Sequence, residues 1–242
     1  LPRPAAIGHP SDVNDRQLTV SVIIPTLNEA RRIQDVVRHA LSLGDVEVVV
    51  ADGGSSDGTP SLALDAGARV IHAARGRGPQ MDAGAAAATG EVLLFLHADT
   101  QLPDDAIDHV RAALADPLVV GGNFFLRYVP FTRTGLLLTA YHHLRRALFH
   151  AYGGQSGVFV RREAFQRIGG FGPLPILEDQ RFVEKLEHAG VTRHLPTWAE
   201  TSSRRFRGRE WKALGVWALV HALHGVGVPA ELLSRVYDQV RD

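Results

Sequence analysis

The sequence predicts an α/β protein built on a mostly parallel sheet, and three observations carry that expectation. From residue 18 to residue 100, short β-branched apolar runs alternate with amphipathic stretches of helical period, the pattern of parallel strands joined by helical crossovers. The run EVLLFLHADT, Glu91 to Thr100, places five consecutive large apolar residues before a polar end, as a strand buried on both faces does. Each apolar run in this half then feeds a polar or glycine-rich loop. In open α/β sheets ligands sit outside the carboxyl ends of the strands, where such loops lie.

In order along the chain, residues 1 to 17 are rich in Pro, Asp, Asn and Arg and are expected as a mobile leader. Leu18 to Pro25 is the first strand, stopped by its proline. Asn28 precedes a helix expected from Glu29 to Ser42, with Ile33, Val36, Val37, Ala40 and Leu41 on one face. Val46 to Asp52 is the second strand and runs into the loop GGSSDGT. A short helix, Pro60 to Ala66, leads to a third strand at Arg69 to His72. The basic glycine loop RGRGP, Arg75 to Pro79, opens a small-residue helix from Gln80 to Thr89, whose alanines permit close packing on the sheet. The strand ending in His97, Ala98 and Asp99 follows. This order puts the loops at 25–29, 52–58, 75–79 and 97–100 on one edge of the sheet. That placement favours a ligand role for Asp99 over a simple helix cap after Pro103.

The second half is less regular. A helix is expected over Asp104 to Ala115, a strand over Val119 to Tyr128 and a helix over Phe131 to Tyr152. A short strand at Gly157 to Val160 and another helix come next, then Glu178 and Asp179 lead into a helix expected from Asp179 to Ala189. Two helices, about Glu210 to Leu223 and Pro229 to Val240, close the chain. The expected organisation is one domain from residue 18 to 242. It comprises a ligand-binding half to residue 100, a second half to 210, and C-terminal helices from 211.

Composition narrows the classes of function. The chain carries 26 Lys+Arg against 26 Asp+Glu, so no general field draws it to nucleic acid. It has no cysteine, which removes disulfides and thiolate chemistry. No secretory pattern opens it, and the nearly apolar run from Ala213 to Val228 is broken by His221 and His224, short of a spanning helix. A cytoplasmic protein is expected, at most peripheral to the inner face of a membrane. A P-loop, a full GxGxxG, HExxH and GxSxG are all absent.

The motifs that remain resemble the family 2 glycosyltransferases of the GT-A fold. The resemblance rests on PTLNE at Pro25 to Glu29, ADGGSSDGT at Ala51 to Thr59, and HAD at His97 to Asp99. It continues through GGQSGVFVRREAFQRIGGF at Gly153 to Phe171 and LED at Leu177 to Asp179. RGRGPQMDAGAAAATGEVLLFLHADT is similar to one bacterial subgroup of small, single-domain members. The resemblance implies a nucleotide-sugar donor, UDP-, GDP- or TDP-linked. Pro25, Thr26, Asn28 and Glu29 would border its base and ribose, Asp52 with Gly53 beside it would take the base, and Arg75 or Arg77 would meet the nucleotide. The motif His97, Ala98, Asp99 matches the family's acid–spacer–Asp, whose last Asp binds a divalent ion, Mn²⁺ or Mg²⁺. Here the first acid is a histidine, a poorer ligand for Mg²⁺ than for Mn²⁺, so His97 would touch ribose or ligate a softer ion, its plainer reading being a structural histidine at a strand end. Asp179 would be the catalytic base and Glu178 its positioning neighbour, while Arg204 or Arg205 would close over the diphosphate or an anionic acceptor.

Each of these residues also has a plainer reading. Glu29, Glu178 and Asp179 suit the first turns of helices as charges, DGGSSDG suits a turn, and SSRRFRGR suits a solvated basic segment. Two other activities stay open: a nucleotide-sugar-binding pseudoenzyme, and a sugar-phosphate nucleotidyltransferase. Trp211, Leu214, Trp217, Leu219 and Val220 exceed what one buried helical face needs. The expected partner of that surplus is a membrane bearing a lipid-linked acceptor, or a second copy of the chain. The plainer reading packs it on Phe131 to Phe149.

Overall fold

The computed structural model describes residues 17–149, 152, 154–203 and 210–234. Strands β1 (Val20–Thr26), β2 (Val46–Asp52), β3 (Arg69–His72) and β4 (Val92–Phe95) alternate with helices α1 (Ile33–Ser42), α2 (Thr59–Asp65) and α3 (Arg77–Ala87). The chain continues through β5 (Thr100–Gln101), α4 (Ala106–Ala113), β6 (Val119–Val129), α5 (Arg133–Phe149), β7 (Val158–Arg161) and α6 (Arg162–Ile168). It then forms α7 (Glu178–Ala189), β8 (Val191–Ser202) and α8 (Glu210–Gly225). The strands make one sheet in the order β3-β2-β1-β4-β7-β6-β8-β5. Pairing is parallel among β3, β2, β1 and β4, antiparallel on both sides of β7, and parallel again between β6 and β8. The sheet is therefore mixed and mostly parallel.

Both faces of β1, β2 and β4 are covered, which explains their unbroken apolar runs, while β3 is the exposed edge. Val22, Ile24, Val50 and Leu94 face one layer with Ile33, Val36 and Val37 of α1. The alternate residues Ile23, Val49, Leu93 and Phe95 face the other with Met81 of α3 and Phe182 of α7. The small residues of α3 serve close approach: a Cβ on Gly84 would stand 2.4 Å from Ile23 Cγ2. On the same side Phe95, Phe165, Phe171 and Phe182 form an aromatic cluster, with Phe171 and Phe182 stacked at 4.1 Å.

Several expected boundaries move, each for a local reason. Helix α1 starts at Ile33, not Glu29, because Asn28 takes a left-handed φ of 57° and residues 30–32 form a turn. Helix α3 starts at Arg77, three residues before the expected Gln80, directly after Gly76 at φ 129°. The twelve-residue strand β8 was not anticipated at all. Its proline hides it, since proline within a run argues against a central strand. In the fold, Phe124 pairs with Leu195 and Phe125 with Trp198, so Pro196 and Thr197 sit in a bulge and the ladder resumes beyond them. Of the last expected helix, residues 230–234 are helical and the rest lies outside the described residues, as does the leader up to residue 16. No helix among the described residues is long and apolar enough to cross a membrane.

Candidate functional site

Parallel pairing brings the carboxyl ends of β1 and β2 together, with Thr26 opposite Asp52. Asp52 is 1% exposed, and its Oδ2 accepts from Gly54 N at 3.0 Å and Ser55 N at 2.9 Å, which bends the loop back over the strand end. Its Oδ1 is buried with no hydrogen-bond partner among the described residues, and so is Thr26 Oγ1. Buried polar atoms are nearly always paired, and each exception calls for a reason. Two of them side by side on a strand edge mark an acceptor-rich surface. Gln80 of α3 reinforces that edge by donating to Thr26 O at 2.6 Å and Ala51 O at 2.8 Å. Gly53 permits this, because a Cβ there would stand 2.9 Å from Gln80 Nε2.

The neighbouring loops are laced to each other. Asn28 N donates to Ser55 Oγ, and Asn28 Oδ1 accepts from Ser56 N. Glu29 N donates to Thr59 Oγ1, and Ala30 N to Asp57 Oδ2. The Thr59 hydroxyl, donating to Asp57, holds that carboxyl below the usual aspartate range. Pro25 is buried in β1, Asn28 and Arg75 are exposed, and Glu29 is half-buried. Turn chemistry thus ties the loops after β1 and β2 into one construction.

Beyond β4 the turn His97–Thr100 is closed by Thr100 N donating to His97 O at 3.0 Å. It docks on β8, where Ser202 N donates to Asp99 O. His97 and Ala98 are buried and Asp99 is half-buried. Among the described residues no group of three or more His, Asp or Glu side chains forms a protein-only metal site. A hard divalent ion is often held by one or two carboxylates together with substrate phosphates and water. Asp99 fits that donor chemistry, as one carboxylate to be completed by phosphate and water rather than as part of a protein-only cage among the described residues.

A cavity of about 100 Å³ opens beside α7, lined by Arg77, His142, Arg145, Gln155, Asp179, Gln180, Trp217 and His221 among others. Leu177, at a left-handed φ of 62°, turns the chain into α7 so that its first two residues diverge. Glu178 is 2% exposed, with Arg77 Nε 2.6 Å from its Oε1. At that distance the contact is a tight, charge-assisted ion pair. Burial pushes the Glu178 carboxyl well above the usual glutamate range; Arg77 pulls it back and Asp179 adds to the rise. Asp179 lines the cavity, its Oδ1 accepting from Gln180 N at 2.8 Å. The structure therefore brings Arg77, Glu178 and Asp179 into one place, Arg77 pairing with the glutamate. Arg204 and Arg205 lie outside the described residues.

Some of this machinery went unread in the sequence. Asp82 of α3 clamps the approach to α7, accepting from Phe171 N and Gly172 N at 2.9 Å each. Gly78 lets the two backbones touch, since a Cβ there would stand 2.2 Å from Gly172 O. His142 and Arg145 of α5 and His221 of α8 supply the far wall of the cavity. The available signal was three polar residues sharing the inner face of otherwise apolar helices.

These imidazoles predict an acid-sensitive fold. Burial, with Arg145 next, holds His142 down at about 3 and His221 at about 4. The unfolded chain titrates histidine near 6.5. Between about 6.5 and 4 it binds protons that the folded chain refuses, so stability is complete above 6.5 and lost as the pH falls. Each histidine contributes a slope of about 1.4 kcal/mol per pH unit. Glu178, raised instead, offsets part of that slope. Urea midpoints should fall from pH 7 to pH 4.5, and His142→Gln should flatten the fall. A midpoint that holds level or rises toward acid would contradict the assignment.

Residues 21–169 match the family model Glycosyl transferase family 2. A PGL/p-HBAD biosynthesis glycosyltransferase of Mycobacterium bovis is 34% identical over 164 residues, 62% of this chain and 61% of that protein. The chain spans less than two thirds of the length of the first curated relatives it matches, 17% in one case and 28% in another. Among solved structures, glucosyl-3-phosphoglycerate synthase from Mycobacterium tuberculosis with Mn²⁺, uridine diphosphate and glucosyl-3-phosphoglycerate superposes at a TM-score of 0.59. That pair is 22% identical over 88% of this chain and 81% of the other. S. aureus TarS 1–349 with UDP-GlcNAc gives 0.61, at 19% identity over 77% and 59% of the two chains. These likenesses give the fold, a GT-A-like α/β sheet, and the family match gives the lineage. The chain belongs to glycosyl transferase family 2.

Proposed function

We propose that the chain is a metal-dependent inverting glycosyltransferase, moving a sugar from a UDP-, GDP- or TDP-linked donor to an acceptor hydroxyl. The observation that carries this reading is the buried, unpartnered pair Thr26 Oγ1 and Asp52 Oδ1 at the carboxyl edge of the parallel strands. A base edge with N–H donors satisfies both atoms, and a carboxylate acceptor makes the bond a strong one. Asn28 and Glu29 flank that edge and are suited to ribose, while Arg75 and Arg77 open α3 on the phosphate side. The solved relatives that hold a uridine diphosphate or UDP-GlcNAc support the donor class.

Asp179 is the general base in this reading. It takes the acceptor hydroxyl proton as that oxygen attacks the anomeric carbon, opposite the departing diphosphate, so the configuration inverts. Glu178 and Arg77 position the start of α7, and His142 and His221, held neutral by burial, line the same cavity as Asp179. Asp99 would hold the divalent ion, with His97 serving Mn²⁺ better than Mg²⁺. When bound, such an ion supplies positive charge against the leaving diphosphate.

Thermal melting with a panel of UDP-, GDP- and TDP-sugars tests the reading, with and without Mn²⁺. A ligand at 100 times its Kd adds about 2.7 kcal/mol, or roughly 5–10 °C for a chain of this size. At least one nucleotide should do so, with Mn²⁺ increasing the shift. Asp99→Ala should lose the Mn²⁺-dependent part and His97→Ala should keep most of it. No shift with any nucleotide, or an Asp99→Ala shift equal to the parent's, would defeat the proposal.

A further inference from the structure

Helices α5 and α8 carry their polarity inside out. On α5 the exposed residues include Leu136, Leu137, Ala140, Leu144, Ala147 and Leu148, which fall within about 120° of the helix circumference at 3.6 residues per turn. The opposite face turns His142 and Arg145 into the cavity beside Asp179. On α8 the exposed residues include Trp211, Gly215, Ala218, Leu219 and Ala222, with Val226 just past its end, again one stripe. Its other face lends Trp217 and His221 to the same cavity. The two helices pack together, Trp217 against Tyr141 and His142 at ring distances of 6.2 and 5.5 Å. Trp211 is 74% exposed and Leu148 62%. A soluble monomer seldom leaves apolar surface of this extent open.

Charge identifies the occupant. Residues 117–162 contain no Asp or Glu, and residues 201–230 contain only Glu210. Helices α5 and α8 together carry Arg133, Arg145, Arg146 and Lys212 against one acid, Glu210. Arg133 and Lys212 are exposed beside the stripes. A two-fold partner copy would set these cations against themselves. An anionic bilayer accepts both the apolar stripes and the cations around them. The geometry points to α5 and α8 as a docking face for anionic phospholipid. If the transferase reading above holds, docking also brings the cavity's own helices to the bilayer, which suits a lipid-linked acceptor; the docking itself does not rest on that reading.

Sedimentation of the full chain with vesicles tests this, using equal parts phosphatidylglycerol and phosphatidylcholine against phosphatidylcholine alone. Binding should favour the anionic vesicles and weaken as salt rises from about 0.1 to 0.5 M. The exposed pair Leu144→Ser and Leu148→Ser should cut partitioning at least about tenfold, and Arg133→Gln or Lys212→Gln about fivefold each. Tryptophan emission should shift to the blue on binding, less so in Trp211→Phe. Circular dichroism and nucleotide-induced melting shifts at parental levels would establish that the variants are folded and keep the result separate from the donor site. Absence of binding to anionic vesicles overturns the proposal, as does binding that survives the leucine substitutions. A stable dimer that those substitutions dissolve would assign the face to a second copy instead.

Discussion

Asp179→Asn is expected to retain the fold and the donor affinity while transfer falls by about 10² to 10⁴. The substitution keeps an oxygen for Gln180 N, which Asp179 Oδ1 now accepts at 2.8 Å, so the first turn of α7 stays in place. What it removes is a basic oxygen on the wall of a cavity whose two imidazoles are held neutral by burial. The loss should appear in kcat with the donor's binding unchanged, the signature of an interaction made in the transition state. Glu178→Gln should cost less. Glu178 is buried against Arg77 rather than lining the cavity, and burial already raises its carboxyl. Loss of donor affinity in Asp179→Asn would move that residue into the nucleotide site. Near-parental turnover would reduce it to a helix-terminal charge.

The first half of the fold was legible because its period and its punctuation agree. Strand β2 falls where its apolar run begins and ends, since a strand buried on both faces leaves no other pattern, and β3 falls on its short run at the sheet edge. The placement of Asp52 and Thr26 was legible too, because strand polarity alone puts them at the carboxyl edge of the sheet. The second half was harder for definable reasons. Pro196 sits in a bulge of β8, so the residue that argues against a strand is where the strand bends. Helices α5 and α8 defeat the usual rule that apolar residues face inward: the polar side chains His142, Arg145 and His221 line the cavity while leucines face out. The expectation that α8 would either pack on α5 or present an open surface turns out to be both, Leu214 and Trp217 packing by Tyr128 and Leu138 and Trp211 remaining exposed. Gln80 and Asp82 were invisible because their partners are backbone atoms far along the chain, at Thr26, Ala51, Phe171 and Gly172.

Asp52→Asn addresses the donor edge itself. The change is nearly isosteric, and the retained oxygen can still accept from Gly54 and Ser55, which hold the loop through Oδ2. At the Oδ1 position, now buried without a partner, an N–H₂ donor replaces an acceptor. A hydrogen bond to a charged group contributes about 1.5–3 kcal/mol, and a donor facing a donor is worse than none. Affinity for the nucleoside diphosphate should therefore fall about 10- to 100-fold, with melting temperature close to the parent's. Calorimetric titration of parent and Asp52→Asn with UDP, GDP and TDP in the presence of Mn²⁺ measures this directly. The parent should bind at least one nucleotide, and the variant should lose that affinity by the same factor. Equal affinity in the two proteins, or no nucleotide bound by the parent, would contradict it.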